Sequence, residues 1–203
     1  MRGIPGVILA GGLATRMGGG DKGLRVVGGQ RLLDHVIARL SPQCAALAIN
    51  ANGAPGRFAE FGLPVLPDSL PDHPGPLAGV LAGLDWAAEQ GFGSIVTAAA
   101  DTPFFPRDLV TRLVEAAGPE GLALAGSRDE NGKLWRHPTF GLWPVALRDD
   151  LRAALQGGLR KIVLWTDAHQ AGLAEFPARP FDPFFNVNTP EDIAEAERLL
   201  EAL

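Results

Sequence analysis

The chain has 203 residues, of which 46% are hydrophobic and 20% are charged, and its formal net charge is -5 at pH 7. This length predicts one compact domain over residues 1–203, and the composition excludes the disordered and fibrous classes. The negative charge argues against a nucleic-acid partner, because binding to that polyanion depends on clustered Lys and Arg. A small anionic substrate is still compatible with these values.

The only cysteine is Cys44, so the chain cannot form an intramolecular disulfide. No secretory signal opens the sequence, and no apolar run approaches the roughly 18 residues that suggest a membrane span. We therefore expect a cytoplasmic protein with no membrane partner. Because Cys44 has no nearby His and no CxxC partner, we expect it to be a small buried apolar residue rather than a nucleophile.

Short apolar runs alternate with longer segments of helical periodicity along the chain. The runs predict strands at 6–10, 45–51, 65–66, 94–99, 122–127, 139–143 and 172–176. Helices are predicted at 77–90, after Pro106, at 145–155 and after Thr189, where Pro190 and Asp192 complete a capping box. This alternation predicts an α/β fold of three layers, α/β/α, with a mostly parallel sheet.

A glycine-rich segment, LAGGLATRMGGGDK, directly follows the first predicted strand and spans residues 9–22. Successive glycine N–H groups can form a concave nest around phosphate oxygens, and Arg16 and Lys22 add positive charge. The spacing matches neither the dinucleotide fingerprint nor the Walker A motif. A glycine-rich surface loop is the alternative, but ligands of such sheets bind beyond the carboxyl ends of strands. The position therefore favours a phosphate site.

The N-terminal part of the chain also leans basic. The first forty residues contain only two acidic side chains, Asp21 and Asp34. They contain six basic ones, namely Arg2, Arg16, Lys22, Arg25, Arg31 and Arg39. This local excess predicts an electropositive pocket that the net charge of the chain conceals.

Further short motifs follow the glycine segment in a fixed order. They are Asn50-Ala51-Asn52, Asp68-Ser69-Leu70, Pro74-Gly75-Pro76-Leu77-Ala78-Gly79, Asp101-Thr102-Pro103 and Asn186-Val187-Asn188-Thr189-Pro190. Each motif is weak alone, but the ordered set over residues 6–190 is specific. It resembles the molybdenum cofactor guanylyltransferase family. The resemblance implies a Rossmann-like nucleotidyltransferase fold and a Mg²⁺-dependent enzyme that joins GMP from GTP to the terminal phosphate of molybdopterin, releasing pyrophosphate and forming molybdopterin guanine dinucleotide.

The resemblance also implies roles for individual residues. Catalytic roles fall to Arg16, Lys22 and Asp101, with Asp101 as the Mg²⁺ ligand. Contacts to the second substrate are expected from Asn186 and Asn188, which could instead simply lead into the last helix. The expected nucleotide contacts are Leu9, Ala10, Gly11, Gly12, Lys22, Asn50, Asp68, Gly75, Leu77 and Asp101.

The predicted metal site and the predicted choice of guanine depend on two carboxylates, those of Asp101 and Asp68. Asp101 follows the apolar run 95–100 at the sheet edge that also bears the glycine segment, and one carboxylate suffices where Mg²⁺ completes its shell with phosphate oxygens and water. Asp68 offers two acceptors, which suit the paired N1–H and N2–H donors of guanine better than the single amino group of cytosine. The alternatives are a turn before Pro103 for Asp101 and a strand end for Asp68.

The implied substrates are GTP and molybdopterin, with His73 and His137 as candidates for the lining of the second pocket. Molybdenum-insertion proteins and apo-molybdoenzymes or their chaperones are further candidate partners. Two other functions stay open at this point. One is a cytidylyl- or sugar-phosphate nucleotidyltransferase, and the other is a non-catalytic GTP-binding module.

Overall fold

The computed structural model describes residues 3–11, 20–70 and 75–202. None of the helices within these ranges has the length and apolar character that crossing a membrane requires. The strands are β1 (Gly6–Leu9), β2 (Val26–Val27), β3 (Gln30–Arg31), β4 (Leu47–Asn50), β5 (Val65–Leu66), β6 (Ser94–Ala99), β7 (Ala123–Arg128), β8 (Leu134–Pro144) and β9 (Gly172–Phe176). The α-helices are α1 (Leu32–Leu40), α2 (Pro76–Glu89), α3 (Leu109–Glu115), α4 (Arg148–Gln156), α5 (Ile162–Ala168) and α6 (Pro190–Glu201).

Seven strands of the described chain form one sheet, in the order β5-β4-β1-β6-β8-β7-β9. β1 pairs in parallel with both β4 and β6, β4 with β5, and β7 with β9. Only β8 is reversed in this sheet, since it is antiparallel to both of its neighbours. The prediction of a mostly parallel sheet is therefore confirmed, and all seven predicted strands are present with ends within a few residues of their predicted positions.

The two faces of the sheet carry different helices, because successive residues of a strand point to opposite sides. On one face, Ile8 shares a core with Leu33 of α1 and with side chains of α3. On the other face, Val7 shares a core with Leu81 of α2 and with side chains of α4 and α5. The three-layer α/β/α architecture follows from this division and confirms the prediction.

Helix α2 lies unusually close to the sheet. A Cβ atom added at Gly83 would lie 2.8 Å from Val7 Cγ2, and one added at Gly79 would lie 2.1 Å from Asn50 Oδ1. Only glycine leaves room for this approach. The first turn of α2 is therefore held beside the carboxyl end of β4.

Among the elements that were not predicted from the sequence are the β2–β3 hairpin, α1, α5 and the 3-10 helix Pro55–Phe61. Helix α1 lacks a usual N-cap residue, and the Asp34 carboxylate accepts the Arg31 backbone N–H at 3.1 Å in its place. The predicted helix at 145–155 is divided into a 3-10 turn at Val145–Leu147 and α4. The local sequence gives only weak signals for these elements, and their bounds are fixed by packing in the folded chain.

Helix α6 begins as its capping box predicts. Thr189 Oγ1 accepts the Asp192 N–H at 3.2 Å, and the Asp192 carboxylate accepts the N–H groups of Thr189 at 2.9 Å and Asn188 at 2.8 Å. The Val187 N–H donates to the Asp101 carbonyl at 2.9 Å. Residues 186–188 are therefore fixed against the carboxyl end of β6.

Candidate active site

A pocket of about 460 Å³ opens at the carboxyl ends of β1, β4 and β6. In sheets of this type, ligands bind beyond these strand ends. Six of the predicted nucleotide contacts line it, namely Leu9, Gly11, Asn50, Asp68, Gly75 and Asp101. Its other lining residues are Asn52, Pro76, Ala99 and Thr139. We refer to this cavity as the nucleotide pocket.

Two other predicted contacts turn their side chains into the core. Ala10 and Leu77 are each 3% exposed, and Leu77 packs with the α2 side of the sheet. A nucleotide contact from Leu77 would therefore have to come from its backbone N–H, in the first turn of α2, where N–H groups lack intrahelical acceptors. Gly12 and Arg16 lie outside the described residues, as does the rest of the glycine segment at 12–19.

Lys22 and Asp101 face each other at the edge of the nucleotide pocket. Lys22 Nζ donates to Asp101 Oδ2 at 3.3 Å and to Asn188 Oδ1 at 2.5 Å. Only 22% of the Lys22 side chain and 21% of the Asp101 side chain are exposed, so water screens this pair less than a pair on the open surface. The structure thus brings together a cation, a carboxylate and an amide that the sequence placed far apart.

The other oxygen of Asp101 faces Thr102. Thr102 Oγ1 lies 3.3 Å from Asp101 Oδ1 and donates to Asn186 Oδ1 at 2.5 Å. The described residues contain no group of three or more His, Cys, Asp or Glu side chains that could form a metal cage. A single carboxylate with amide oxygens close by is nevertheless a hard-oxygen set that fits Mg²⁺, which takes much of its shell from phosphate and water.

Two asparagines fix the orientation of Asp68. Asn50 Nδ2 donates to Asp68 Oδ1 at 2.9 Å, and Asn52 Nδ2 donates to Asp68 Oδ2 at 2.7 Å. The Asp68 backbone N–H donates back to Asn52 Oδ1 at 2.9 Å. Each carboxylate oxygen can accept a further hydrogen bond, so Asp68 stays able to receive a pair of N–H donors. Asn50, which is 4% exposed, is thus a support for Asp68 as well as part of the wall.

A second pocket, of about 870 Å³, is lined by Asn186 and by residues of β7, β8 and the segment 177–185. Ser127 Oγ lies 2.7 Å from His137 Nε2 and 3.3 Å from Asp182 Oδ1, and the His137 ring stacks on Phe184 with centroids 4.2 Å apart. Burial lowers the pKa of His137, although the charge of Asp182 acts in the opposite direction. We refer to this cavity as the acceptor pocket.

The expected electropositive pocket contains fewer of the N-terminal basic side chains than the sequence suggested. The prediction is wrong for Arg31, which pairs with Asp34 and Glu60, and for Arg39, which donates to the Phe105 carbonyl. Arg31 ends β3 and Arg39 lies in α1, and neither residue lines the nucleotide pocket, so the local excess of basic residues in the sequence does not become charge at the site. Lys22, among the described residues of this group, lies beside Asp101.

Cys44 is partly buried and packs against the core. Burial raises the pKa of its thiol to about 12, which leaves almost no thiolate at neutral pH. This agrees with the prediction that it is not a nucleophile. Asn52 and Thr102, in contrast, belong to the sequence motifs but had no predicted role. The structure shows that Asn52 donates to Asp68 and that Thr102 donates to Asn186.

Comparison with known proteins agrees with this geometry. Residues 6–171 match the family described as the MobA-like NTP transferase domain. The chain is 55% identical over 199 residues to the molybdenum cofactor guanylyltransferase of Nitrobacter hamburgensis, covering 96% of this chain and 93% of that protein. It is 54% identical over 201 residues to the enzyme of the same name from a Bradyrhizobium species, covering 97% and 92%.

A solved structure supports the same fold. The crystal structure of molybdopterin-guanine dinucleotide biosynthesis protein A from Archaeoglobus fulgidus superposes with a TM-score of 0.74 at 24% identity, covering 98% of this chain and 100% of that one. The family match, the two relatives and this shared fold agree with the ordered motifs of the sequence. The chain belongs to the molybdenum cofactor guanylyltransferase family, within the MobA-like NTP transferases.

Proposed function

We propose that this chain transfers GMP from GTP to the terminal phosphate of molybdopterin, releasing pyrophosphate and forming molybdopterin guanine dinucleotide. One observation carries the proposal: a hydrogen bond next to Asp101 connects the walls of the two pockets. Asp101 lines the nucleotide pocket, and its neighbour Thr102 donates to Asn186, which lines the acceptor pocket. An acceptor phosphate and a nucleotide phosphate can therefore reach the same place. The identity of the two substrates is inferred from the names of the relatives.

GTP occupies the nucleotide pocket with its base toward Asp68 and its phosphates toward Gly11 and Lys22. The Asp68 carboxylate accepts the N1–H and N2–H donors of guanine, and bonds from Asn50 and Asn52 keep it turned to do so. Cytosine offers only one amino group on this edge. The arrangement thus favours GTP over CTP.

Molybdopterin occupies the acceptor pocket, whose lining contains flat side chains together with both basic and acidic ones. Trp135 and Phe181 can cover a planar pterin, while Arg179 adds positive charge toward an anionic ligand. The neutral amides of Asn186 and Asn188 orient the terminal phosphate without trapping it as a charged partner would. The rim of the pocket therefore suits a flat molecule that ends in a phosphate.

The reaction is an in-line displacement at the α-phosphorus of GTP. A terminal phosphate oxygen of molybdopterin forms the new P–O bond as the bond between the α-phosphorus and the bridging oxygen to the β-phosphate breaks, and pyrophosphate leaves. No covalent intermediate with the protein is needed, because catalysis of this kind depends on positioning and charge stabilisation. Lys22 provides the positive charge, and Asn188 holds it in place by accepting one of its hydrogen bonds.

We also assign Mg²⁺ to this site, with Asp101 as its protein ligand and Asn188 Oδ1 close by. When bound there, the ion would neutralise phosphate charge and polarise the phosphoryl group. The contribution of the chain is to aim the Asp101 carboxylate, which Lys22 and Thr102 contact on its two oxygens. Arg16 and Gly12 keep their predicted roles beside the phosphates as part of this proposal.

The proposal extends to the wider setting of the protein. We place the enzyme in the cytoplasm as a single domain over residues 1–203. Molybdenum-insertion proteins and apo-molybdoenzymes or their chaperones are the partners expected to deliver its substrate and receive its product.

A nucleotide panel tests the function. The purified chain is incubated with Mg²⁺ and GTP, CTP or ATP, with and without molybdopterin, and pyrophosphate release is measured. We expect release that requires both GTP and molybdopterin. Release with CTP in preference to GTP would point to a cytidylyltransferase, and GTP binding without release would point to a non-catalytic module.

A further inference from the structure

Arg57 does not line the nucleotide pocket, yet it joins a segment of its wall, at Asn52, to the segment that bears Lys22. Its Nε donates to Asp21 Oδ2 at 2.6 Å, and Asp21 directly precedes Lys22. Its Nη2 donates to the Asn52 carbonyl at 2.5 Å, and the Asn52 side chain binds both the carboxylate and the backbone of Asp68. One guanidinium therefore links the segment that bears Lys22 to the residue that orients Asp68.

The surroundings of Arg57 hold its side chain in one orientation. The guanidinium lies 4.6 Å from the ring centroid of Phe58, which is fully buried. Gly53, with φ of 84°, makes the left-handed turn that lets the Asn52 and Ala54 carbonyls both accept from the same guanidinium. The planar fork of arginine suits three acceptors arranged in this way, whereas lysine offers a single point charge.

We infer that Arg57 is a positioning residue, which holds the base-selecting carboxylate of Asp68 and the ammonium of Lys22 at a fixed separation. The inference rests on the proposed function, because that proposal assigns Asp68 to the guanine and Lys22 to the phosphates. Base and phosphates belong to one molecule, so both contacts form together only when the two segments keep their spacing. Asp21 serves this purpose as the partner of Arg57, and its ion pair is only partly exposed, at 27% for Arg57 and 14% for Asp21.

The chain offers a matched control in Arg31. Its guanidinium lies 4.2 Å from the ring centroid of Phe61 and pairs with Asp34 at 2.9 Å and Glu60 at 2.6 Å. Phe61 packs beside Phe58, with ring centroids 6.4 Å apart, so both guanidinium groups lie on aromatic rings of the same 3-10 helix, Pro55–Phe61, to which Arg57 itself belongs. None of the partners of Arg31 lines the nucleotide pocket. Removal of Arg31 thus deletes contacts of the same kinds without reaching the site.

The test measures dissociation constants for GTP and for inosine triphosphate by titration calorimetry. Inosine lacks the 2-amino group, so the ratio of the two constants reports the Asp68 contact. In R57A we expect GTP affinity to fall about ten-fold, the order expected for loss of a hydrogen bond to a charged group. The preference for GTP should shrink several-fold as well. A merely structural role would weaken both nucleotides equally.

Companion variants sharpen the outcome. R57K should fall between wild type and R57A, and R31A should keep the wild-type constants and preference. The double variant D21N/R57A should bind GTP no more weakly than R57A alone, because the two residues act as one pair. A wild-type preference in R57A, or the same loss in R31A, would overturn the inference. Should R57A fail to fold, R57K and D21N carry the same comparison.

Two separate measurements, of nucleotide binding and of GMP transfer, distinguish a failure of this inference from a failure of the proposed function on which it rests. The constants are measured without molybdopterin. A wild-type chain that prefers GTP in this Arg57-dependent way but transfers nothing defeats the proposed function and supports the inference. A wild-type chain that transfers GMP while R57A and R57K keep the full preference defeats the inference alone.

Discussion

The ammonium of Lys22 and the carboxylate of Asp101 lie 3.3 Å apart, although 79 positions separate them in the chain. They meet because β1 and β6 are parallel neighbours in which Leu9 pairs with Ala99, so the segments after both strands leave the same edge of the sheet. Asn188, near the end of the chain, lies beside this pair and accepts a hydrogen bond from Lys22. Its backbone N–H donates to the Asp192 carboxylate of α6, which holds it there. Three distant segments thus converge where the phosphates of GTP are proposed to lie.

The first prediction concerns this pair. K22A and D101N should each lower kcat/KM for GTP by about 10²–10³, the loss typical of one charge-stabilising group at a reacting centre. The free energy of unfolding should change by only about 1 kcal/mol, because the pair remains partly exposed. Steady-state pyrophosphate release and urea unfolding measure the two quantities.

The ion pair of Arg198 with Glu195, on the exposed face of α6, supplies the control for these variants. R198A removes a cation that lines neither pocket and should leave kcat/KM unchanged. Near-normal turnover in K22A or D101N would remove these residues from the mechanism.

The second prediction concerns base selection. D68A should reduce the preference for GTP over CTP by about ten-fold or more, since a charged acceptor for two guanine N–H donors is lost. D68N, which retains one acceptor oxygen, should lose less. Competition of the two nucleotides in one reaction measures the preference, and an unchanged ratio in D68A would deny Asp68 its role.

The third prediction concerns the close contact between α2 and β4. In G79A the added Cβ would start 2.1 Å from Asn50 Oδ1, so Asn50 must move and Asp68 loses one of its supports. We expect a loss of about 1–3 kcal/mol in the free energy of unfolding, as for overpacked cores, together with weaker GTP binding. G93A is the matched control, because a Cβ there meets nothing within 4 Å. Equal stability of the two variants would contradict the packing argument.

The fourth prediction concerns pH. Burial lowers the pKa of His169, but its hydrogen bonds to Glu120 and Asp150 outweigh this and raise the pKa above its ordinary value of 6.5. The stabilisation from protonated His169 is therefore complete below pH 6.5 and is lost as the pH rises through the higher folded-state pKa. The pKa of Asp150 is lowered, chiefly by its bond from Trp165 and then by His169, so that carboxylate stays charged until the pH falls below its ordinary 3.8.

Urea unfolding of wild type and H169Q across pH 5 to 9 checks this account. Wild type should exceed H169Q by about 1 kcal/mol or less at pH 5.5, the scale of a solvent-screened ion pair, and the difference should shrink toward pH 9. A difference that grows with pH would show that the sign is wrong.

Much of the fold was predictable because its strands are short, apolar and buried. The segment Ser94–Ala99, for example, is almost continuously apolar, as a central parallel strand should be, and its predicted bounds match those observed. Helix α1 was missed even though Leu32, Leu33, Val36 and Leu40 form a buried stripe at helical spacing. That spacing is typical of a core-facing helix, whereas the start of α1 at Arg31 gives no usual capping signal.

The placement of candidate site residues was predictable where motifs follow strands, since Asp68 and Asp101 both line the nucleotide pocket. It was not predictable where contacts link distant segments. Nothing near Arg57 in the sequence indicates that its guanidinium reaches Asp21 and the Asn52 carbonyl. The same holds for Arg31, whose local charge suggested the pocket but whose partners are Asp34 and Glu60. Such pairings depend on tertiary structure.

The most direct test of the account identifies the product of the reaction. The pure chain is incubated with GTP, Mg²⁺ and molybdopterin, and the products are analysed by mass spectrometry beside D101N under the same conditions. We expect molybdopterin guanine dinucleotide and pyrophosphate in equal amounts with wild type, and almost none with D101N. Recovery of unchanged GTP and molybdopterin from the wild-type reaction, or equal product from D101N, would contradict the proposal that Asp101 and the glycine-rich segment act on one triphosphate.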